Sequence, residues 1–105
     1  LERKLEQYPD HDYSDNALYW MGEAYYDTQN YKKAVACFEK VVALYPDGNK
    51  VPDAMLKTSF SYCAMGQTNL ANETMGQLVS HYPSTKAAGL AQKKPCRAAL
   101  TEEQR

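Results

Sequence analysis

Three Tyr-Pro pairs, Tyr8-Pro9, Tyr45-Pro46 and Tyr82-Pro83, stand 37 residues apart, and Ala17, Ala54 and Ala91 keep the same interval. A fixed interval of this size marks a stacked supersecondary unit. Such a unit cannot bury its own apolar face and so packs against its neighbours. The first full copy reads Leu18-x2-Met21-Gly22-x2-Tyr25, then Ala34-x3-Phe38, then Pro46. Glycine and alanine let two helices approach closely, and Tyr25 and Phe38 fill the space between them. Each proline ends a helix, because the residue before it is pushed out of the α region. The second copy reads Met55-x2-Thr58-Ser59-x2-Tyr62, Ala71-x3-Met75 and Pro83. Thr58 and Ser59 stand where Met21 and Gly22 do, so this copy is degenerate and its packing is expected to be weaker.

The spacing resembles a tetratricopeptide (TPR) repeat with leucine in the usual tryptophan slot. The usual period is about 34 residues, so each connection here is about three residues longer. The expected fold is all-α: TPR-type helical hairpins forming a short right-handed solenoid of about five to six helices. Residues 1–9 then form the second helix of an incomplete repeat, with Leu1, Leu5 and Tyr8 on one face. Ser14 or Asp15 caps the next helix after a polar connection. Residues 15–48 form repeat 1, with arms Asp15–Asp27 and Tyr31–Leu44 and left-handed turns at Gly48 and Asn49. Residues 52–85 form repeat 2, turning at Gly66 and Gln67. Residues 86–94 form an end helix, and residues 95–105 a frayed tail after Pro95.

Charge and motifs narrow the function. Twelve basic and thirteen acidic residues give a net charge of −1, without the basic field that sequence-independent nucleic-acid binding needs. No apolar run is long enough to span a bilayer. The chain lacks an initiator Met and opens as if in mid-helix, so it reads as a fragment of a longer protein. Cys37, Cys63 and Cys96 show no C-x-x-C or zinc spacing. Cys37 and Cys63 fall within helices, where a free cysteine behaves as a small buried hydrophobe. His11 lies in a loop between Asp10 and Asp12, and His81 lies at a helix end, where a cation complements the dipole. No nucleophile–base pair, phosphate loop or metal motif is present. The chain is therefore read as a non-catalytic protein that takes no cofactor and no metal.

Function on such an array means a groove lined by the first helices of successive repeats. At about 100° per residue, Leu18, Gly22 and Tyr25 point into the hairpin. The other side presents Asn16, Tyr19, Glu23 and Tyr26, with Trp20 and Asp27 at its edge. Trp20 also stands where it can cover the Leu1–Tyr8 helix. The 37-residue shift adds Asp53, Leu56, Phe60 and Cys63, with Lys57 beside them. The end helix adds Leu90, Lys93 and, if it continues, Arg97. Tyr19, Tyr26, Leu56 and Phe60 are the expected apolar anchors for a peptide or partner helix. Glu23, Asp27 and Asp53 would select basic groups. The nine tyrosines suit a wet, contact-making face.

Several stretches resemble one family in particular. These are Ala17-Leu-Tyr-Trp-Met-Gly-Glu-Ala-Tyr-Tyr26, Tyr31-x2-Ala34, Phe38-Glu-Lys-Val-Val42, Pro52-Asp-Ala54 and Tyr82-Pro-Ser84 with Ala87-Ala88, together with Tyr8-Pro9 and Tyr45-Pro46. They look like the C-terminal TPR domain of the Tol-Pal-associated YbgF family, also called cell division coordinator CpoB. The resemblance runs from about Tyr8 to Lys94, and Ala-Leu-Tyr-Trp-Met-Gly-Glu is its most specific part. It implies a periplasmic scaffold of Gram-negative bacteria that binds TolA. It further implies a link between outer-membrane constriction and septal peptidoglycan synthesis during cell division, and a homotrimer formed through an upstream coiled coil. Ser59 and the Pro95-Cys-Arg-Ala segment depart from the pattern. The generic repeat residues also fit another TPR adaptor of the bacterial envelope, such as a domain of an outer-membrane assembly lipoprotein. An upstream lipobox would mark that adaptor; an upstream trimeric coiled coil would mark the first reading.

Overall fold

Ser14 opens the first helix by accepting a hydrogen bond from the Ala17 backbone N–H at 3.1 Å, which satisfies one of the orphan donors of the first turn. The computed structural model describes residues 14–94 and Cys96. The expectations for the helix at residues 1–9, the loop around His11, Arg97 and the tail lie outside these residues. Five α-helices and no strand occur among the described residues: α1 Asp15–Asp27, α2 Tyr31–Leu44, α3 Val51–Ala64, α4 Thr68–His81 and α5 Lys86–Lys93. α1 pairs with α2 and α3 with α4, α2 packs on α3, and α4 on α5. This is an all-α array of antiparallel helical hairpins.

The two turns within the hairpins share a backbone device. Gln29 has φ 65° and Gly66 has φ 80°, and the two stand at the same repeat position. The expectation of left-handed residues at Gly48 and Asn49 is not met; Gln29 and Gly66 alone have positive φ among the described residues. Gly48 serves a different need, close approach. A Cβ there would lie 2.9 Å from Asp15 Oδ2 and 3.2 Å from the Tyr45 carbonyl oxygen. Pro52 sits in the first turn of α3, where its missing N–H costs no helical bond. Thr85 caps α5, donating to the Tyr82 carbonyl at 2.8 Å and accepting from the Ala88 N–H at 3.2 Å.

One core cluster joins Leu18, Tyr19, Ala34, Phe38, Val41, Val51 and Ala54, and so unites the first hairpin with the start of α3. A second joins Leu56, Met75, Leu78 and the α5 alanines Ala87, Ala88 and Ala91. Met55 and Tyr82 pack against both. α3 runs through the middle and buries Thr58, Ser59 and Ser61. Their hydroxyls donate to the carbonyls of Ala54, Leu56 and Lys57 at 2.8, 2.6 and 2.8 Å. None of these three hydroxyls is thereby left unsatisfied, which would otherwise cost about 1–3 kcal/mol each. Cys37 is buried in α2, as expected for a small hydrophobe, and burial pushes its thiol pKa up despite Lys40.

The role expected for Cys63 is corrected. It forms a disulfide with Cys96, their Cα atoms 5.7 Å apart, within the normal range for such a bond. α5 ends at Lys93 with Lys94 as its C-cap, and Cys96 is bonded to α3 through Cys63.

Candidate functional site

The odd-numbered helices α1, α3 and α5 lie side by side, with α3 central. α1 and α3 meet sparingly in backbone terms, and side chains bridge them. Lys57 on α3 places Nζ 3.4 Å from Glu23 Oε1 on α1, and the same ammonium stands 4.8 Å from the centre of the Tyr26 ring. Both charged side chains are about three-quarters or more shielded, so the pair is less screened than a surface pair. Tyr26 also meets Tyr31 edge-on, ring centres 5.5 Å apart, a favoured aromatic geometry. Burial raises the Tyr26 pKa, with smaller contributions from Tyr31, Glu23 and Asp27.

Tyr19 lies one turn before Glu23. Its pKa is driven well above the ordinary tyrosine value, first by burial, then by a hydrogen bond to Glu23 and by the charges of Glu23 and Asp53. The phenol thus stays neutral and remains within the Glu23–Lys57 cluster. Its ring packs 5.6 Å from Phe38 and 5.5 Å from Trp20. Lys50, from the connection before α3, places Nζ 5.0 Å from the Tyr19 ring and 5.6 Å from the Trp20 ring. Trp20 itself is 60 % exposed.

At the other end of this face a cleft of about 380 Å³ opens between Tyr26, Phe60, Cys63, Ala64 and Lys94. It joins the ends of α1 and α3 to the residue that follows α5. A second cleft, about 280 Å³, opens between α2, α3 and α4 beside Val42, Met55, Thr58, Tyr62 and Leu70. At its edge Tyr62 Oη donates to Glu39 Oε2 at 3.2 Å.

The structure therefore gathers Tyr19, Glu23, Tyr26, Asp53, Lys57 and Phe60 on or beside one face. Asn16, Asp27 and Lys93 stand exposed around it. Two expected anchors need correction. Tyr19 is 8 % and Leu56 5 % exposed, and both belong to core clusters. An inner helix of a stacked array is packed on two sides, so its buried arc is wider than one hairpin face. Neither side chain offers a free apolar surface. Sequence reasoning missed Lys50, Ala64, Lys94 and the Cys63–Cys96 bond. The first three sit at helix ends or in connections, where helical periodicity gives no direction.

A mixed aromatic and charged face on stacked helical hairpins can grip a polypeptide, aromatics supplying area and the charges fixing register. Two family models, both described as tetratricopeptide repeat, match the chain, one over residues 15–47 and the other over residues 53–85. Among curated proteins, none matches it. Tandem repeats of this kind mark a protein-interaction scaffold. Across residues 15–85, then, the chain belongs to the tetratricopeptide-repeat family.

Proposed function

We propose that this scaffold works in the periplasm, binds TolA through its α1–α3–α5 face, and couples Tol-Pal outer-membrane constriction to septal peptidoglycan synthesis in dividing cells. The observation that carries the reading is the Ala17–Glu23 stretch. It holds the residues most specific to the resembling family, and it supplies Glu23 to the ion pair with Lys57, with Tyr19 one turn before it. The Cys63–Cys96 bond supports the location, because structural disulfides persist in oxidising compartments such as the periplasm. In the full-length protein an upstream coiled coil would bring three such faces together and raise avidity toward a partner with several sites.

Tyr26, Phe60 and Lys57 are the contact residues of this reading; Tyr19 lies beneath them as part of the core. The test is a binding titration of the oxidised chain against purified TolA. Binding is expected, and Phe60→Ala should weaken it about tenfold, the scale of a partly buried aromatic anchor. A folded, oxidised chain that does not bind TolA overturns the partner assignment.

A further inference from the structure

α5 is fastened to α3 by a covalent bond where its own packing is thin. α5 is eight residues long and offers the core only Ala87, Ala88 and Ala91. At the repeat position of Leu18 and Met55 it carries Gln92, which is exposed. Cys96 stands at the position of Gly22 and Ser59, where the two full hairpins meet their second arm. From this position the disulfide to Cys63 fastens the chain after α5 to α3, and Cys96 is 6 % exposed.

The same bond shapes the cleft on the α1–α3–α5 face. Cys63 is one wall, and Lys94, two residues before Cys96, is another; Tyr26, Phe60 and Ala64 line it too. The cleft is mainly apolar, and Lys94 has no ion-pair partner among the described residues. That chemistry fits a partner segment with a bulky apolar side chain beside a carboxylate.

We propose that the Cys63–Cys96 disulfide is a redox latch on this cleft: the oxidised chain accepts an apolar–acidic segment of a partner protein there, and reduction releases α5 and removes the site while the first hairpin stays folded. The proposal takes from the functional reading above only that this face binds protein. The reductant is a dithiol. Its thiolate attacks Cys63 Sγ, the sulfur that lines the cleft, and Cys96 Sγ departs with the bonding pair. The Thr68 hydroxyl, 4.0 Å from Cys96 Sγ, is placed to hydrogen-bond the departing thiolate. The second thiol of the reductant then displaces Cys63. The protein gains two thiols, and the dithiol becomes a disulfide.

The test is amide hydrogen exchange on the whole chain, oxidised, dithiothreitol-reduced and as Cys63→Ser/Cys96→Ser. Exchange in residues 86–94 should rise at least about tenfold in the latter two, with residues 15–44 unchanged. Unchanged exchange in α5 overturns the latch, and so does loss of protection throughout the chain. The site is read by NMR titration with N-acetyl-phenylalanyl-glutamate. Shifts at Tyr26, Phe60 and Lys94 are expected in the oxidised chain and absent in the reduced one. No shifts in the oxidised chain, or equal shifts in both, overturn the site. Neither measurement uses TolA, so its failure and that of the TolA assignment are told apart.

Discussion

The Lys57 ammonium lies 3.4 Å from the Glu23 carboxylate, an ion pair that joins α3 to α1 across a boundary with little backbone contact. Lys57 also covers the Tyr26 ring at 4.8 Å, so one side chain serves two partners on the first repeat. Partial shielding places the pair at the top of the exposed-pair range and below a buried one. A coupling energy of about 1 kcal/mol follows. A double-mutant cycle with Glu23→Gln and Lys57→Met in urea unfolding should return that value, falling as salt is raised. A coupling of zero at low salt would mean the pair does not tie the repeats together.

Tyr19 makes a sharper prediction, because its ring and its hydroxyl act separately. Tyr19→Ala removes a buried ring packed on Phe38 and should cost about 3 kcal/mol, so it tests folding more than binding. Tyr19→Phe keeps the ring and removes the titration. The folded phenol has a raised pKa and the unfolded one titrates at the ordinary tyrosine value of about 10. At a pH between the two, the folded state holds a proton that the unfolded state has lost, so stability falls as pH rises. The contribution is whole below pH 10 and is lost progressively above it. Tyr26 and Tyr62 are shifted the same way and add to the slope. Unfolding free energy measured from pH 9 to pH 11 should decline less steeply for Tyr19→Phe than for the parent; equal slopes would remove Tyr19 from the alkaline response.

Much of the fold is legible in the residues for a local reason. Ser14, the turn at Gly66 and the Tyr-Pro stops are short-range signals, and they delimit α1, α2 and the turn of the second hairpin where the structure has them. The face is less legible because it depends on how hairpins stack. A single-helix projection places Tyr19 and Leu56 outward, whereas the neighbouring hairpin covers them. The disulfide was within reach of the repeat register. Cys96 occupies the repeat position of Ser59, which lies one helical turn from Cys63, and it follows the end of the next inner helix. Treating Cys63 as an isolated helical residue hides that relation. Gly48 shows the opposite error: a glycine read for its conformational freedom is there for space beside Asp15.

Gly22 and Phe38 test the close approach that the repeat spacing encodes. A Cβ on Gly22 would lie 2.6 Å from Phe38 Cε1 and 2.8 Å from Cδ1 and Cζ. Phe38 is fully buried, so its ring has no room to retreat. Gly22→Ala should therefore destabilise by about 1–3 kcal/mol, even though alanine is the better helix former. In the second repeat the register sets Ser59 against Met75, and a methionine side chain adapts where a phenyl ring does not. Replacing both, Gly22→Ser with Phe38→Met, should recover part of the loss of Gly22→Ser alone. Thermal unfolding of the two variants checks this; no recovery would mean that the glycine answers to a constraint other than the Phe38 ring.

Gln29 is the residue where sequence and backbone disagree most plainly. It holds φ 65° in the turn between α1 and α2, a conformation that brings the Cβ of an L-residue too close to the following carbonyl oxygen. Its counterpart in the second hairpin is Gly66, which takes φ 80° without that cost. The turn itself is well bonded: the Asn30 N–H reaches the Tyr25 carbonyl at 2.8 Å and the Gln29 N–H the Tyr26 carbonyl at 3.0 Å. These bonds are main-chain and survive a change of side chain. Gln29 is exposed, so little packing is lost with it. Glycine gains freedom in the unfolded chain, which offsets part of the relief. Gln29→Gly should therefore stabilise by about 0.5–1 kcal/mol, raising Tm by about 2–8 °C. Gly66→Gln should do the reverse, by a similar or larger amount. Scanning calorimetry of both variants decides it: a lower Tm for Gln29→Gly would show that the left-handed turn is not strained in this chain.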